Sequence, residues 1–239
     1  MHGTLASRDT GLERRLQKAL AGEVAFDAFT RGRYATDASI YQIMPKGIVF
    51  PKRADDIAAT LEIARAAGIP VTMRGGGTSQ NGQPIGSGLV VDCSRHFNAL
   101  LKYDPRGRRV RVEPGMVLER LNTRLRADGL FFPVEPSTAT RCTIGGMTGN
   151  NSSGARSLHY GKMVDNVRVV DAMTADGRTY RFEPGLNAPL ARDMLALAAR
   201  ESDEIIARFP KVQRRVGGYN LDALIAPDPN PAHLMVGSE

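Results

Sequence analysis

Apolar residues recur along this chain in two rhythms, and each marks out secondary structure. Leu12, Leu16, Ala19 and Leu20 fall on one side of a helical repeat, which predicts a short helix over residues 10–22. Residues 31–44 hold no sustained period and read as a loop. A β-α-β pattern follows. Gly47-Ile48-Val49-Phe50 is a strand, residues 54–67 are a helix with Ile57, Leu61 and Ala64 inward, Gly68 stops it, and residues 69–73 form the next strand. Leu89-Val90-Val91-Asp92 predicts another strand. Residues 100–103 and 108–113 flank the turn sequence Asp104-Pro105-Arg106-Gly107 and predict a hairpin. Val117, Leu118, Leu121 and Leu125 line a helix over 117–127 that Gly129 ends. A second hairpin, residues 167–173 with 179–182, turns at Ala175-Asp176-Gly177. Residues 189–209 read as largely helical, and the tail beyond Gly217 as proline- and glycine-rich without period. The pattern is α+β.

Composition narrows the function classes. Apolar residues make up 42% and charged residues 24%, as in ordinary globular chains. Lys and Arg number 32 against 25 Asp and Glu, a net charge of +7. The arginines are dispersed, with knots at Arg106/Arg108/Arg109/Arg111 and Arg214/Arg215 and no interleaved aromatics, so nucleic acid is not an expected partner. A basic face of this kind is either simply solvated or attracts an anionic ligand. The two cysteines, Cys93 and Cys142, lie in no CxxC, so no metal site and no disulfide framework is expected. A reducing, cytoplasmic compartment fits this usage, extended to a peripheral place at the inner membrane. The amino terminus has no apolar core of signal-peptide type, and no run approaches the ~20 apolar residues of a transmembrane helix.

Two glycine-rich stretches carry the chemistry. The first, Arg74-Gly75-Gly76-Gly77-Thr78-Ser79, directly follows a predicted strand. Three successive glycines exceed what a turn needs, and each adds conformational entropy lost on folding. They suit a loop whose N–H groups curl around a phosphate. The second runs from Thr143-Ile144-Gly145-Gly146 to Gly149-Asn150-Asn151-Ser152-Ser153-Gly154, after Pro136-Ser137-Thr138. It offers amides and hydroxyls without charge, as a ligand with polar ring edges such as a flavin requires. No GxGxxG and no GxxxxGK[ST] occurs, and the first loop leads into a poor helix start, which argues against Rossmann and P-loop binding.

Taken in order, the strand, RGGGTS, PST, TIGGMTGNNSSGARSLHYGKMVDNV and the ADG hairpin resemble the FAD-binding domain of the vanillyl-alcohol oxidase/PCMH flavoprotein superfamily. RYATDASIYQ resembles the entry to that domain. The nearest branch is that of D-lactate, glycolate and 2-hydroxyglutarate dehydrogenases, especially large bacterial forms with a C-terminal iron–sulfur module. The resemblance implies a two-subdomain PCMH-type fold holding FAD, with residues 1–43 as an N-terminal helix and lead-in and 44–239 as the FAD-binding domain. It implies that Arg74, Gly75, Gly76, Gly77, Thr78 and Ser79 wrap the pyrophosphate. A Cβ at Gly76 would then take the space of that group. Pro136, Ser137, Thr143, Ile144, Gly145, Gly146, Asn151, Ser153 and Gly154 would line the flavin and ribityl region.

The implied activity is oxidation of a D-2-hydroxy acid by hydride transfer to FAD, with electrons passed to a quinone, an electron-transfer flavoprotein or iron–sulfur clusters. An NAD(P)H-dependent flavin reductase of the same fold and a non-catalytic flavin-binding fragment are the alternatives. Thr78 stands where covalent branches often have His, which implies non-covalent FAD, and Ser153 where close relatives often have Cys. The ending Gly237-Ser238-Glu239 resembles the opening of a GSEGTLG-like motif, which implies an amino-terminal fragment whose second subdomain is incomplete and whose iron–sulfur clusters and catalytic base lie beyond it. No residue of the chain is read as the hydride-transfer base. His96 and His159 read first as structural, with His159 beside the flavin loop the more interesting; Tyr41 and Asp37 read either as substrate-side residues or, at least as well, as packing and capping ones, and Cys142 falls inside the flavin-lining segment but needs no redox role.

Overall fold

The computed structural model describes residues 9–186, 188–212 and 215–239, and these divide into two compact units. Unit 1 comprises Met1–Phe131, Thr138–Gly146 and Ala175–Arg178. It opens with α1 (Thr10–Ala19), started by the Asp9 side chain, which accepts the Leu12 N–H. Then come β1 (Glu23–Ala25), α2 (Ala28–Tyr34), β2 (Gly47–Phe50), α3 (Ala54–Ala66), β3 (Val71–Arg74) and β4 (Leu89–Asp92). The sheet order is β1-β2-β4-β3, with β4 parallel to both neighbours and β1 antiparallel at the edge. β2 and β4 are buried at every position. Their unbroken apolar runs are what a parallel strand covered on both faces requires. Val49, Leu89 and Val91 pack with Leu12, Leu16 and Ala64, while Ile48, Phe50 and Val90 pack with Tyr34 on the other face.

A hairpin of β5 (Leu100–Asp104) and β6 (Arg109–Val112) follows, then α4 (Leu118–Leu125), whose stripe of Leu118, Leu121 and Leu125 is buried as expected. A single 3-10 turn carries it to Gly129, which ends it in the left-handed region at φ 66°. α5 (Ile144–Gly149) leads into unit 2, which comprises Phe132–Ser137, Met147–Thr174 and Thr179–Glu239. There lie α6 (Ser157–Tyr160), α7 (Met163–Asn166), the hairpin strands β7 (Val170–Met173) and β8 (Thr179–Phe182), α8 (Pro189–Arg200), α9 (Ser202–Arg208) and α10 (Pro231–Met235). Ala198, Ile205, Leu224 and Leu234 form a core of this unit.

Four expectations need correction. Residues 31–44 are not all loop, because α2 runs to Tyr34, started by Asp27 accepting the Thr30 N–H at 2.8 Å. In addition, β1, for which the sequence carries no expectation, is a three-residue edge strand that its partner defines. The start of the second glycine stretch is helical rather than open, and the tail beyond Gly217 contains α10. Finally, the buried side of α3 centres on Asp56, Thr60 and Ala64, and Leu61 is only partly covered.

Asp56 explains that rotation. Its carboxylate is 1% exposed and accepts the N–H groups of Ala21 at 2.9 Å and Lys52 at 2.8 Å. It thereby ties the exit of α1 to the loop that starts α3. Burial pushes its pKa up, but the backbone N–H groups of Lys52, Ala21 and Arg53, with the Arg53 charge, outweigh burial and hold it below the ordinary 3.8. Asp56→Ala is expected to remove about 2 kcal/mol of stability at neutral pH, because two amides lose a charged acceptor. Urea unfolding curves measure the loss. The folded pKa is depressed, so the contribution is complete above the ordinary value and fades as pH falls through the folded one. The gap between wild type and variant should close on acidification.

Candidate functional site

Within unit 1 the first glycine loop is pressed against the start of the second stretch. Residues 142–145 are strapped to 114–118: Thr143 bridges to Val117, Leu118 N–H donates to the Cys142 carbonyl at 3.1 Å, and Ile144 and Gly145 N–H donate to Met116 and Pro114 at 2.9 and 2.8 Å. This fixed segment sets the shape of the loop. A Cβ at Gly75 would overlap Thr143 Oγ1, and one at Gly76 would overlap the Arg141 carbonyl. The glycines are therefore demanded first by the protein's own packing, Gly75 by the Thr143 side chain and Gly76 by the Arg141 backbone. This corrects the expectation that a Cβ at Gly76 meets the ligand: it meets Arg141. Gly77 is required differently, by its left-handed φ of 66°.

The loop's outward chemistry is a row of amides. Among the described residues, the backbone N–H groups of the five consecutive residues 75–79 donate to no protein acceptor. Gly76 is exposed and the other four are partly covered, so the row is open on one side. Consecutive N–H groups around a left-handed glycine form a concave anion-binding nest. Ser79 Oγ is engaged by Gln83 and also accepts the Asn81 N–H, closing the loop on itself. The Arg74 guanidinium donates to the carbonyls of Thr36 at 3.0 Å and Pro84 at 3.2 Å.

The other expected site residues divide by role. Thr143 is 2% exposed; its hydroxyl backs Gly75 and accepts the Gly146 N–H at 3.4 Å. Ile144 and Gly145 have spent their N–H groups on Met116 and Pro114, and Gly145 packs on the Pro114 ring. In unit 2, Asn151 is fully buried, and its φ of 45° is left-handed. Its Oδ1 accepts the Val164 N–H at 3.1 Å while its Nδ2 has no partner. Gly154 lies against the Glu135 backbone, where no Cβ fits, beside Pro136 and Ser137 in the chain. The Ser137 and Ser153 hydroxyls have no hydrogen-bond partner among the described residues. One contributor was missed. Gly237 N–H donates to Thr148 at 2.9 Å and Glu239 N–H to Gly149 at 3.1 Å, so residues 237–239 brace the end of α5. The GSE tripeptide was the available signal.

The remaining candidates take structural places. His96 Nε2 lies 2.9 Å from Glu23 Oε1, and Arg95 pairs with the same carboxylate at 3.0 Å. The His159 ring stands edge-on to Tyr160 at 4.4 Å. Tyr41 packs on Gly82, and Asp37 accepts the Ser39 N–H at 2.8 Å. Burial pushes the Cys93 thiol up to about 12, helped by Asp92, and burial raises Cys142 as well.

A family model described as an FAD binding domain matches residues 45–183, more than half of the chain, and the chain belongs to this family. It is 38% identical over 226 residues to D-2-hydroxyglutarate dehydrogenase of Pseudomonas putida, a match covering 88% of this chain and 22% of that protein. With a glycolate oxidase subunit of Bacillus subtilis the identity is 34% over 167 residues, covering 68% of this chain and 35% of the relative. The match thus spans under a quarter of the length of the D-2-hydroxyglutarate dehydrogenases. Among solved structures, alkyldihydroxyacetonephosphate synthase aligns with TM-score 0.67 at 19% identity, over 79% of this chain and 38% of that one. Physcomitrella patens BBE-like 1 aligns with TM-score 0.65 at 22% identity, over 74% and 38%. These two likenesses are of fold, and the fold is the α+β PCMH-type FAD-binding fold expected from the sequence.

Two outcomes follow. Gly76→Ala should lower the melting temperature of the chain with no cofactor present, because the added methyl strikes the Arg141 carbonyl; an unchanged melt would refute the packing role. Neither Cys93 nor Cys142 should react with a thiol-specific disulfide reagent at pH 8 until urea unfolds the protein, since only the thiolate is the nucleophile.

Proposed function

We propose that this chain is the FAD-binding part of an oxidoreductase that oxidises a 2-hydroxy acid, of D configuration. Residues 44–239 form the FAD-binding domain, and residues 1–43 are its lead-in. The observation that carries the cofactor reading is the row of unpaired amides at residues 75–79, held open by glycines packed on residues 141–143. That donor set fits a diphosphate. In unit 2 the free hydroxyls of Ser137 and Ser153 suit the polar edges of a flavin and its ribityl chain. The match to the FAD-binding family and to 2-hydroxy-acid dehydrogenases supports the same reading.

FAD, when bound, supplies the hydride acceptor. The chain's own residues bind and orient it. The amide row would hold the diphosphate by hydrogen bonds, and Thr78 adds a hydroxyl at the same loop. Attachment is non-covalent, since Thr78 is no nucleophile toward a flavin and both thiols are buried and protonated. None of the chain's residues is assigned as the base that takes the substrate's hydroxyl proton; that base, any iron–sulfur clusters and the electron acceptor (a quinone, an electron-transfer flavoprotein or an iron–sulfur module) would lie outside the region matched to the dehydrogenases. The reading puts the protein in the cytoplasm or at the inner membrane surface. Here, among the described residues, no helix is long and apolar enough to cross a membrane.

Purified protein should be yellow, and acid or heat denaturation should release all flavin into the supernatant. FAD at a hundredfold excess over its dissociation constant should stabilise the fold by ~2.7 kcal/mol in a thermal melt. In the intact enzyme, anaerobic D-2-hydroxyglutarate, D-lactate or glycolate should bleach the flavin band. Bleaching by NADPH and by none of these acids would replace the dehydrogenase reading with a reductase.

A further inference from the structure

The hairpin of β5 and β6 carries charge that the fold does not use. Residues 100–112 hold five cations, Lys102, Arg106, Arg108, Arg109 and Arg111, against the single carboxylate of Asp104. That is +4 of the chain's net +7. The strand register sorts the two faces. Leu100 stands opposite Val112 and Tyr103 opposite Val110, and these four are partly covered. Lys102 stands opposite Arg111 and Asp104 opposite Arg109, and these four are exposed. The ladder shifts between Leu100 and Lys102, which leaves Leu101 unpaired in register and 51% exposed beside Lys102. A bulge of this kind turns out a residue that strict alternation would have covered. One apolar side chain thus stands among the cations.

Two features of the hairpin work against its own stability. Lys102 and Arg111 are like charges directly across the ladder, an arrangement that opposes pairing. Arg108, at the turn, holds a left-handed φ of 51°, where a side chain is strained and glycine is not. The fold supplies little compensation. Asp104 Oδ1 accepts the Gly107 N–H at 2.9 Å, and Lys102, Arg106, Arg108 and Arg109 form no ion pair among the described residues. The hairpin's one aromatic, Tyr103, lies on the covered side, its hydroxyl donating to Asp128 Oδ2 at 2.7 Å. The outward face therefore has no ring to stack on a nucleic-acid base and no aromatic anchor for a pocket in a protein partner. Mobile cations around an exposed leucine fit a lipid surface, where cations meet phosphate headgroups and the leucine enters the boundary with the acyl chains.

We propose that the outward face of the β5–β6 hairpin docks the protein on an anionic phospholipid bilayer, with Lys102, Arg106, Arg108 and Arg109 on the headgroup phosphates and Leu101 inserted between them. This gives the membrane-surface location named above a physical contact, and it does not depend on the cofactor reading.

The test is cosedimentation of the chain with vesicles of equal parts phosphatidylglycerol and phosphatidylcholine, and with vesicles of phosphatidylcholine alone. The wild type should sediment with the mixed vesicles only, and should come off at about 1 M salt, where the Debye length falls to ~3 Å. Lys102→Gln combined with Arg109→Gln should weaken binding about thirtyfold, at about fivefold for each cation. Leu101→Ser should weaken it about fivefold. Arg108→Gly removes a cation and relieves the left-handed strain, so its melting temperature should hold or rise while binding falls about fivefold. That divergence separates docking from a structural role, and it keeps the comparison available if the double variant does not fold. Equal sedimentation with neutral vesicles, no sedimentation of the wild type, or full binding by these variants would overturn the proposal. Capture by polyglutamate in place of the mixed vesicles would also overturn it, and would assign the face to an acidic protein. None of these results bears on flavin binding, so the cofactor reading fails or stands separately.

Discussion

The close approach of Gly75 and Gly76 to residues 141–143 is the constraint on which the site depends. Two segments far apart in sequence share a space too narrow for a single methyl group. The segment that receives the loop is itself immobilised by three backbone hydrogen bonds to residues 114–118. The shape of the amide row is therefore not a property of a floppy glycine loop. It is imposed by a neighbouring piece of rigid backbone, so the entropic penalty of ordering three glycines falls on folding rather than on ligand binding.

Much of this was legible in the residues, and the exceptions have physical causes. β2 and β4 announce themselves as apolar runs because both faces are covered, and α4 because its Leu118, Leu121 and Leu125 keep a strict period. β1 escaped notice because three residues with one glutamate hold no pattern; pairing with β2 makes it a strand. α5 escaped because Gly145, Gly146 and Gly149 are poor helix formers. There tertiary packing overrides propensity, since Gly145 faces Pro114 where only a bare backbone fits.

The site divides in the same way. Glycine clustering pointed to the phosphate loop and the polar run to its companion. What the residues did not disclose is which groups face outward. Thr143, Ile144, Gly145 and Asn151 look like ligand-binding residues in sequence, yet in the fold they spend their polar atoms mainly on other parts of the chain. Main-chain carbonyls at Thr36 and Pro84 hold Arg74, and a carbonyl leaves no trace in the side-chain code.

The strand order has a consequence for how the molecule is made. β2 and β3 are consecutive through α3, yet they never touch, because β4 lies between them. As the chain emerges from the ribosome, the first βαβ unit cannot close on itself. The sheet between them cannot be completed until Leu89–Asp92 arrives. Until then two hydrophobic strand edges are exposed, each a template for pairing with another nascent chain. The loop that carries the amide row, residues 75–79, is synthesised inside that interval. Its final form waits longer still, for the arrival of residues 141–143, so the cofactor cradle is among the last features of unit 1 to take shape.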